Sequence, residues 1–190
     1  IIRGHDLGPT SKNKACVIGQ IDPRGVLLIF AEVLVEDIGI GTYIERVIEV
    51  TNQLFPGSHE IRDFTDPVAF DPSQTDHKSA ADIAREYGIR FYPGEEKTQI
   101  RLEAVSKMMH RLSGDGVPGI YIDRRCEKLI QGFMGGYRYK VTDVEHKRFS
   151  MSPVKDEYSH VAAVVDRDAN VKLYVNGVEV GSVSNSLNAC

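Results

Sequence analysis

The chain has 190 residues, which suits one domain or one domain with an appendage. Its 42% hydrophobic and 26% charged residues exclude a disordered or low-complexity chain, and no run reaches the ~18 apolar residues that a spanning helix needs. The net charge of −4 lacks the basic signature common among nucleic-acid binders, but it is compatible with metal-assisted phosphodiester chemistry, which gathers carboxylates locally.

No charged-then-apolar segment opens the chain, which reads as a soluble, intracellular protein with no membrane partner. It starts at Ile1 and runs straight into a strand-like stretch, as a piece of a longer protein would. Strand signals follow at Cys16 to Ile21 and Val26 to Val35, with Asp22-Pro23-Arg24-Gly25 as the turn between them. Tyr43, Ile44, Val47, Ile48, Thr51 and Leu54 repeat at helical spacing up to Pro56-Gly57. His59 to Phe64 predicts a short strand ending at Asp66-Pro67. A helix over Ser79 to Tyr87, a strand at Ile89 to Tyr92 and a helix from about Thr98 to Leu112 come next. Gly119 to Ile122 is a short strand, and Cys126, Leu129, Ile130 and Phe133 mark a fourth helix halted at Gly135-Gly136. Helices alternating with single strands after a meander predict an α/β domain with a mixed sheet.

After His160 the pattern changes. Val161 to Val165, Val171 to Val175 and Val178 to Val183 are β-branched runs, and Asn176-Gly177 is a strong hairpin signal, since both central residues of a type I′ turn need positive φ. A β hairpin is expected at Val171 to Val183, either splayed from the α/β body or added to a sheet edge. The three cysteines, Cys16, Cys126 and Cys190, form no CxxC pair, so neither a disulfide framework nor a thiolate zinc site is indicated.

Three aspartates stand at predicted strand ends: Asp6, Asp66 and Asp123. Carboxylates held there can face a cleft together and bind Mg2+ or Mn2+ through oxygen. The plainer alternative for each is a turn or helix-cap residue, and for Asp123, ahead of Arg124-Arg125-Cys126, a helix N-cap. Asp63 reads as a surface residue. Basic residues such as Lys107, Arg111, Arg124, Arg125 and Lys128 would suit a DNA backbone or simply a solvated face.

The segments His5-Asp6-Leu7-Gly8, Ala15-Cys16-Val17-Ile18-Gly19-Gln20, Asp66-Pro67-Val68, Ser73-Gln74-Thr75-Asp76, Gly88-Ile89-Arg90, Arg101-Leu102-Glu103-Ala104-Val105, Pro118-Gly119-Ile120-Tyr121-Ile122-Asp123, Gly132-Phe133-Met134-Gly135-Gly136-Tyr137 and Pro153-Val154-Lys155-Asp156-Glu157-Tyr158-Ser159-His160 keep a fixed order. In that order and spacing the chain resembles, over about residues 1–162, the nuclease domain of the large terminase subunit of tailed bacteriophages. The resemblance implies a ribonuclease H-like α/β fold, a mixed sheet with flanking helices. It also implies a Mg2+- or Mn2+-dependent endonuclease cutting concatemeric double-stranded phage DNA during packaging, in the cytoplasm of the infected bacterial host. Implied partners are the terminase ATPase domain, the small terminase subunit and the portal. No GxxxxGK[ST] loop of such an ATPase occurs in this sequence. By resemblance Asp6 is the first metal-binding aspartate and Asp66 the second, expected side by side at the carboxyl ends of adjacent or nearby strands. The third acid of the family follows the Tyr-Ser-His segment, and that position here is Ala163. Asp166 and His160 are further candidates near it.

From His160 onward the runs His160-Val161-Ala162 and Leu173-Tyr174-Val175-Asn176-Gly177 resemble part of a laminin-G or concanavalin-like sandwich. The expected division is a nuclease domain at 1–160 and a β-rich tail at 161–190, joined at a recombination or sequence-joining junction. The opposing functional reading is an inactive remnant or binding module with a carbohydrate-binding-like tail.

Overall fold

The computed structural model describes residues 1–7, 13–73, 77–112, 116–136, 138–143, 148–154, 170–175 and 178–184. His160, Ala163 and Asp166 lie outside them. Strand β1 (Ile2–Asp6) pairs antiparallel with β2 (Asn13–Ile21), which pairs antiparallel with β3 (Leu27–Glu36). The β2–β3 turn is held by Asp22, whose carboxylate accepts from the amides of Arg24 and Val26, while Gly25 supplies the positive φ of 76°. A bulge follows Ile18, and a Cβ on Gly19 there would stand 2.6 Å from the Leu28 carbonyl oxygen, so glycine permits the close approach of the two strands.

Helix α1 (Ile40–Leu54) buries Tyr43, Ile44, Val47 and Thr51, the stripe its spacing predicts. The chain returns as β4 (Arg62–Thr65), parallel to β1, and a short 3-10 helix at Pro67–Phe70 follows. Helix α2 (Ala80–Glu86) starts at a capping box, Ser79 and Asp82 each bonding the other's backbone amide. Strand β5 (Phe91–Pro93) pairs parallel with β4, helix α3 (Thr98–His110) crosses, and β6 (Ile120–Ile122) pairs parallel with β3. Helix α4 (Glu127–Gln131) has the first turn's amides of Lys128 and Leu129 capped by the Glu32 carboxylate of β3, and it runs into a π-helical turn at Gly132–Gly136. The sheet order is β5-β4-β1-β2-β3-β6, six strands of mixed direction.

The remaining described strands share no hydrogen-bonded ladder with that sheet. β7 (Arg138–Asp143) pairs with β8 (Arg148–Val154), and β9 (Asn170–Val175) pairs antiparallel with β10 (Val178–Ser184), each couple a separate two-stranded sheet.

The six-stranded sheet has an apolar cluster on each face. One gathers Cys16, Ile18 and Val33 under Tyr43, Ile44 and Val47 of α1 and Ala81 and Ala84 of α2. The other gathers Val17, Leu27 and Ile29 under Met108 of α3 and Leu129 of α4. Among the described residues no helix is long and apolar enough to cross a membrane.

Within the first face lies a polar network that corrects one expectation. Asp63, read from the sequence as surface, is 4% exposed. Its carboxylate accepts from Arg3 Nε at 2.6 Å and Arg3 Nη2 at 2.8 Å, and it sits 2.8 Å from His5 Nε2. Arg3 also donates to the Thr51 hydroxyl at 3.1 Å, and Tyr43 Oη lies 2.7 Å from His5 Nδ1. A charge can be buried here because a bidentate partner of opposite sign is buried with it.

Candidate metal centre

The candidate site is made by strand pairing. β1 and β4 run parallel in the register Arg3 opposite Asp63 and His5 opposite Thr65. Asp6 and Asp66, each one residue further on, therefore come level at the carboxyl ends of neighbouring strands, which are spaced about 4.8 Å apart. The side-by-side arrangement expected for these two acids is the one found. Arg3, His5 and Leu7 face the layer of α1, so strand alternation turns Asp6 toward the opposite layer.

Asp66 is rigidly set. It is the N-cap of the 3-10 helix, with Pro67 at the first position, and its Oδ1 accepts from the Val68 amide at 3.1 Å. Its Oδ2 lies 3.4 Å from Arg101 Nη1 on α3, a half-buried ion pair. Asp66 thus fills the cap role weighed from the sequence, at the end of the strand.

Asp123 is placed elsewhere. It follows β6, three positions along the sheet from β1, or about 14 Å across. Its carboxylate accepts from the Arg125 amide at 2.9 Å and from the Arg125 guanidinium at 2.9 and 3.0 Å. These bonds hold its pKa down at about 2. The N-cap of α4 is Cys126, so Asp123 closes the turn before the helix and does not cap the helix itself. His160 and Asp166 fall outside the described residues, and among the described residues no three His, Cys, Asp or Glu side chains gather closely enough to hold an ion.

Behind the two strand ends, burial pushes the Asp63 carboxyl up, but hydrogen bonds from His5 and Arg3 outweigh it and hold the group below its ordinary range. Burial pushes His5 down, against the pull of Asp63. Two residues next to the site carried no role in the sequence reading. Arg101 lies on the inward stripe of α3 with Ala104, Val105 and Met108, a place where the sequence reading gave it no role, and Asp63 is tied to a partner 60 positions away.

No family model matches the chain, and no curated protein matches it. Two solved structures are similar. The nuclease domain of g2p, the large terminase of bacteriophage SPP1, crystallised with bound Mn, shares 16% identity over 83% of this chain and 78% of its own, at a TM-score of 0.49. The large terminase nuclease from thermophilic phage G20c shares 12% identity over 81% of this chain and 72% of its own, at a TM-score of 0.52. The six-stranded mixed sheet with its flanking helices is thus the ribonuclease H-like fold of large terminase nucleases.

Proposed function

We propose that the chain is a divalent-metal-dependent DNA endonuclease of the terminase type, cutting concatemeric phage DNA during genome packaging. The observation that carries this reading is the pair Asp6 and Asp66, level at the carboxyl ends of two adjacent parallel strands in a terminase-nuclease fold. Carboxylate oxygens are hard donors that suit Mg2+ or Mn2+, so the donor set fits such an ion in kind. When bound, the ion supplies Lewis acidity toward a phosphodiester and the water that attacks it.

The chain's own residues do the rest. Asp6 and Asp66 would hold the ion, while the Val68 amide fixes one oxygen of Asp66 and Arg101 offsets its charge. A third acid, from Asp166 or with help from His160, would complete the site that Ala163 leaves short of one ligand. With that position unfilled, metal affinity and cleavage are weak. Double-stranded DNA is the substrate, and the ATPase domain, small subunit and portal of a packaging motor are the partners in an infected bacterial cell.

The test is nicking of supercoiled plasmid by the purified chain with Mn2+, beside Asp6→Asn and Asp66→Asn. Both substitutions keep the side-chain shape and remove the charge. Cleavage is expected to drop to background in each, with an unchanged far-UV spectrum. Undiminished cleavage by the Asp6→Asn chain would overturn the assignment, and no cleavage by the parent at any Mn2+ concentration would favour the inactive remnant.

A further inference from the structure

We infer that the buried Arg3–Asp63–His5 cluster is a register clamp, whose purpose is to bring Asp6 and Asp66 level. The inference rests on the metal-site reading above, and it assigns positioning roles to three residues that touch neither metal nor DNA.

The argument starts from spacing. Arg3 lies three residues before Asp6, Asp63 lies three before Asp66, and Arg3 and Asp63 are directly opposite in the strand ladder. Any shift of β4 along β1 therefore separates both pairs at once. A one-residue shift in a strand pair turns side chains to the wrong face, and a two-residue shift preserves the face, so apolar patterning alone guards poorly against the second. The cluster guards against it. Arg3 and His5, two residues apart and on one face, both reach Asp63 Oδ1, at 2.6 and 2.8 Å. Moving Asp63 two positions toward Ile1 takes it out of reach of His5 and sets Thr65 opposite Arg3, and moving it two the other way sets Ile61 there, so in either case the buried guanidinium loses the carboxylate that faces it.

The cluster is also separable from the rest of the core. The Tyr43 hydroxyl can donate to the Ala15 carbonyl at 2.7 Å, and the Thr51 hydroxyl donates to the Val47 carbonyl at 2.7 Å. Replacing the three residues together by apolar ones leaves both hydroxyls with an acceptor. A purely stabilising role for the cluster predicts that such a replacement changes stability alone, whereas a clamp predicts a change in geometry at the strand ends.

The experiment uses the full chain with Arg3→Met, His5→Leu and Asp63→Leu combined, and with Arg3→Lys alone in case the triple variant fails to fold. Lysine keeps the charge but loses the two-point fork. The first readout is independent of metal. With Asp6→Cys and Asp66→Cys added, mild oxidation followed by non-reducing peptide mapping measures the disulfide between the strand ends, which needs Cα atoms about 4.4–6.8 Å apart. The cross-link is expected to form in most parent chains and in a minority of the clamp variants. The second readout is Mn2+ affinity by calorimetry with Asp6 and Asp66 intact, expected to fall by about 10- to 100-fold, as for residues that orient metal ligands. Equal cross-linking with and without the clamp overturns the inference, as does unchanged Mn2+ affinity. If the parent binds no Mn2+ while the cross-linking contrast holds, the metal reading fails and the clamp stands.

Discussion

Asp63 shows how much hangs on one carboxylate. Removing it alone, as Asp63→Ala, leaves Arg3 buried without its counter-ion, and the expected loss of unfolding free energy is about 3–5 kcal/mol, measured by urea denaturation. The pH dependence follows from the same contacts. The folded state holds the Asp63 carboxyl below its ordinary value near 3.8, so the unfolded chain takes up that proton first, and the stability it confers is present above that pH and lost as pH falls through the folded value. His5, pushed down from 6.5 by burial, acts in the same sense at higher pH, since the unfolded chain accepts a proton that the fold resists. The melting temperature is expected to decline on acidification from pH 7 and to decline again below about pH 4. A melting temperature that rises between pH 7 and pH 5 would contradict this. The sequence could not show any of it. Buried charges are rare, so Arg62-Asp63-Phe64-Thr65 reads as an ordinary half-exposed strand, and only a partner brought from 60 positions away reverses that reading. Asp6 and Asp66 were singled out by the family resemblance, because the strand-end pattern alone placed Asp123 on the same footing.

Elements whose signals are local were read well. Helix α1 is marked by Tyr43, Ile44, Val47 and Thr51, and α2 begins where Ser79 and Asp82 can satisfy each other's amides. That box is a discrete contribution. Ser79→Ala is expected to cost about 1 kcal/mol, read from the shift in the denaturation midpoint with unchanged slope. β4 starts later than the His59 to Phe64 run implied and ends one residue after it, since its ladder with β1 runs from Arg62 opposite Ile2 to Thr65 opposite His5. The fourth helix was foreseen as one piece from Cys126 to Phe133, but it changes to a π turn at Gly132, where glycine weakens the α-helical preference. Strand order escaped the residue pattern. Periodicity tells which face of a strand is buried and says nothing of its neighbour, so only the family resemblance set Asp6 and Asp66 on adjacent or nearby strands, and the full order of the sheet emerges from the structure.

For the molecule as a whole, the sheet divides two cores, each containing one buried thiol, Cys16 in the first layer and Cys126 in the second. Burial pushes the Cys126 thiol up to about 12 and Cys16 further up still, so neither carries appreciable thiolate near neutral pH. In a Cys190→Ser background, native protein at pH 8 is expected to react with a thiol reagent only at the rate at which each layer opens, and peptide mapping separates the two rates. Fast labelling of both at the free-thiol rate would show that the layers are not closed. The alternation of β1 across this divide has an evolutionary consequence. Arg3 and His5 belong to one layer and Asp6 looks toward the other, so the strand can absorb no change in length between them. Loss or gain of one codon between Arg3 and Asp6 would carry the carboxylate into the apolar layer or the guanidinium out of it. The spacing between Arg3 and Asp6 is therefore as tightly constrained as the identities of the two residues.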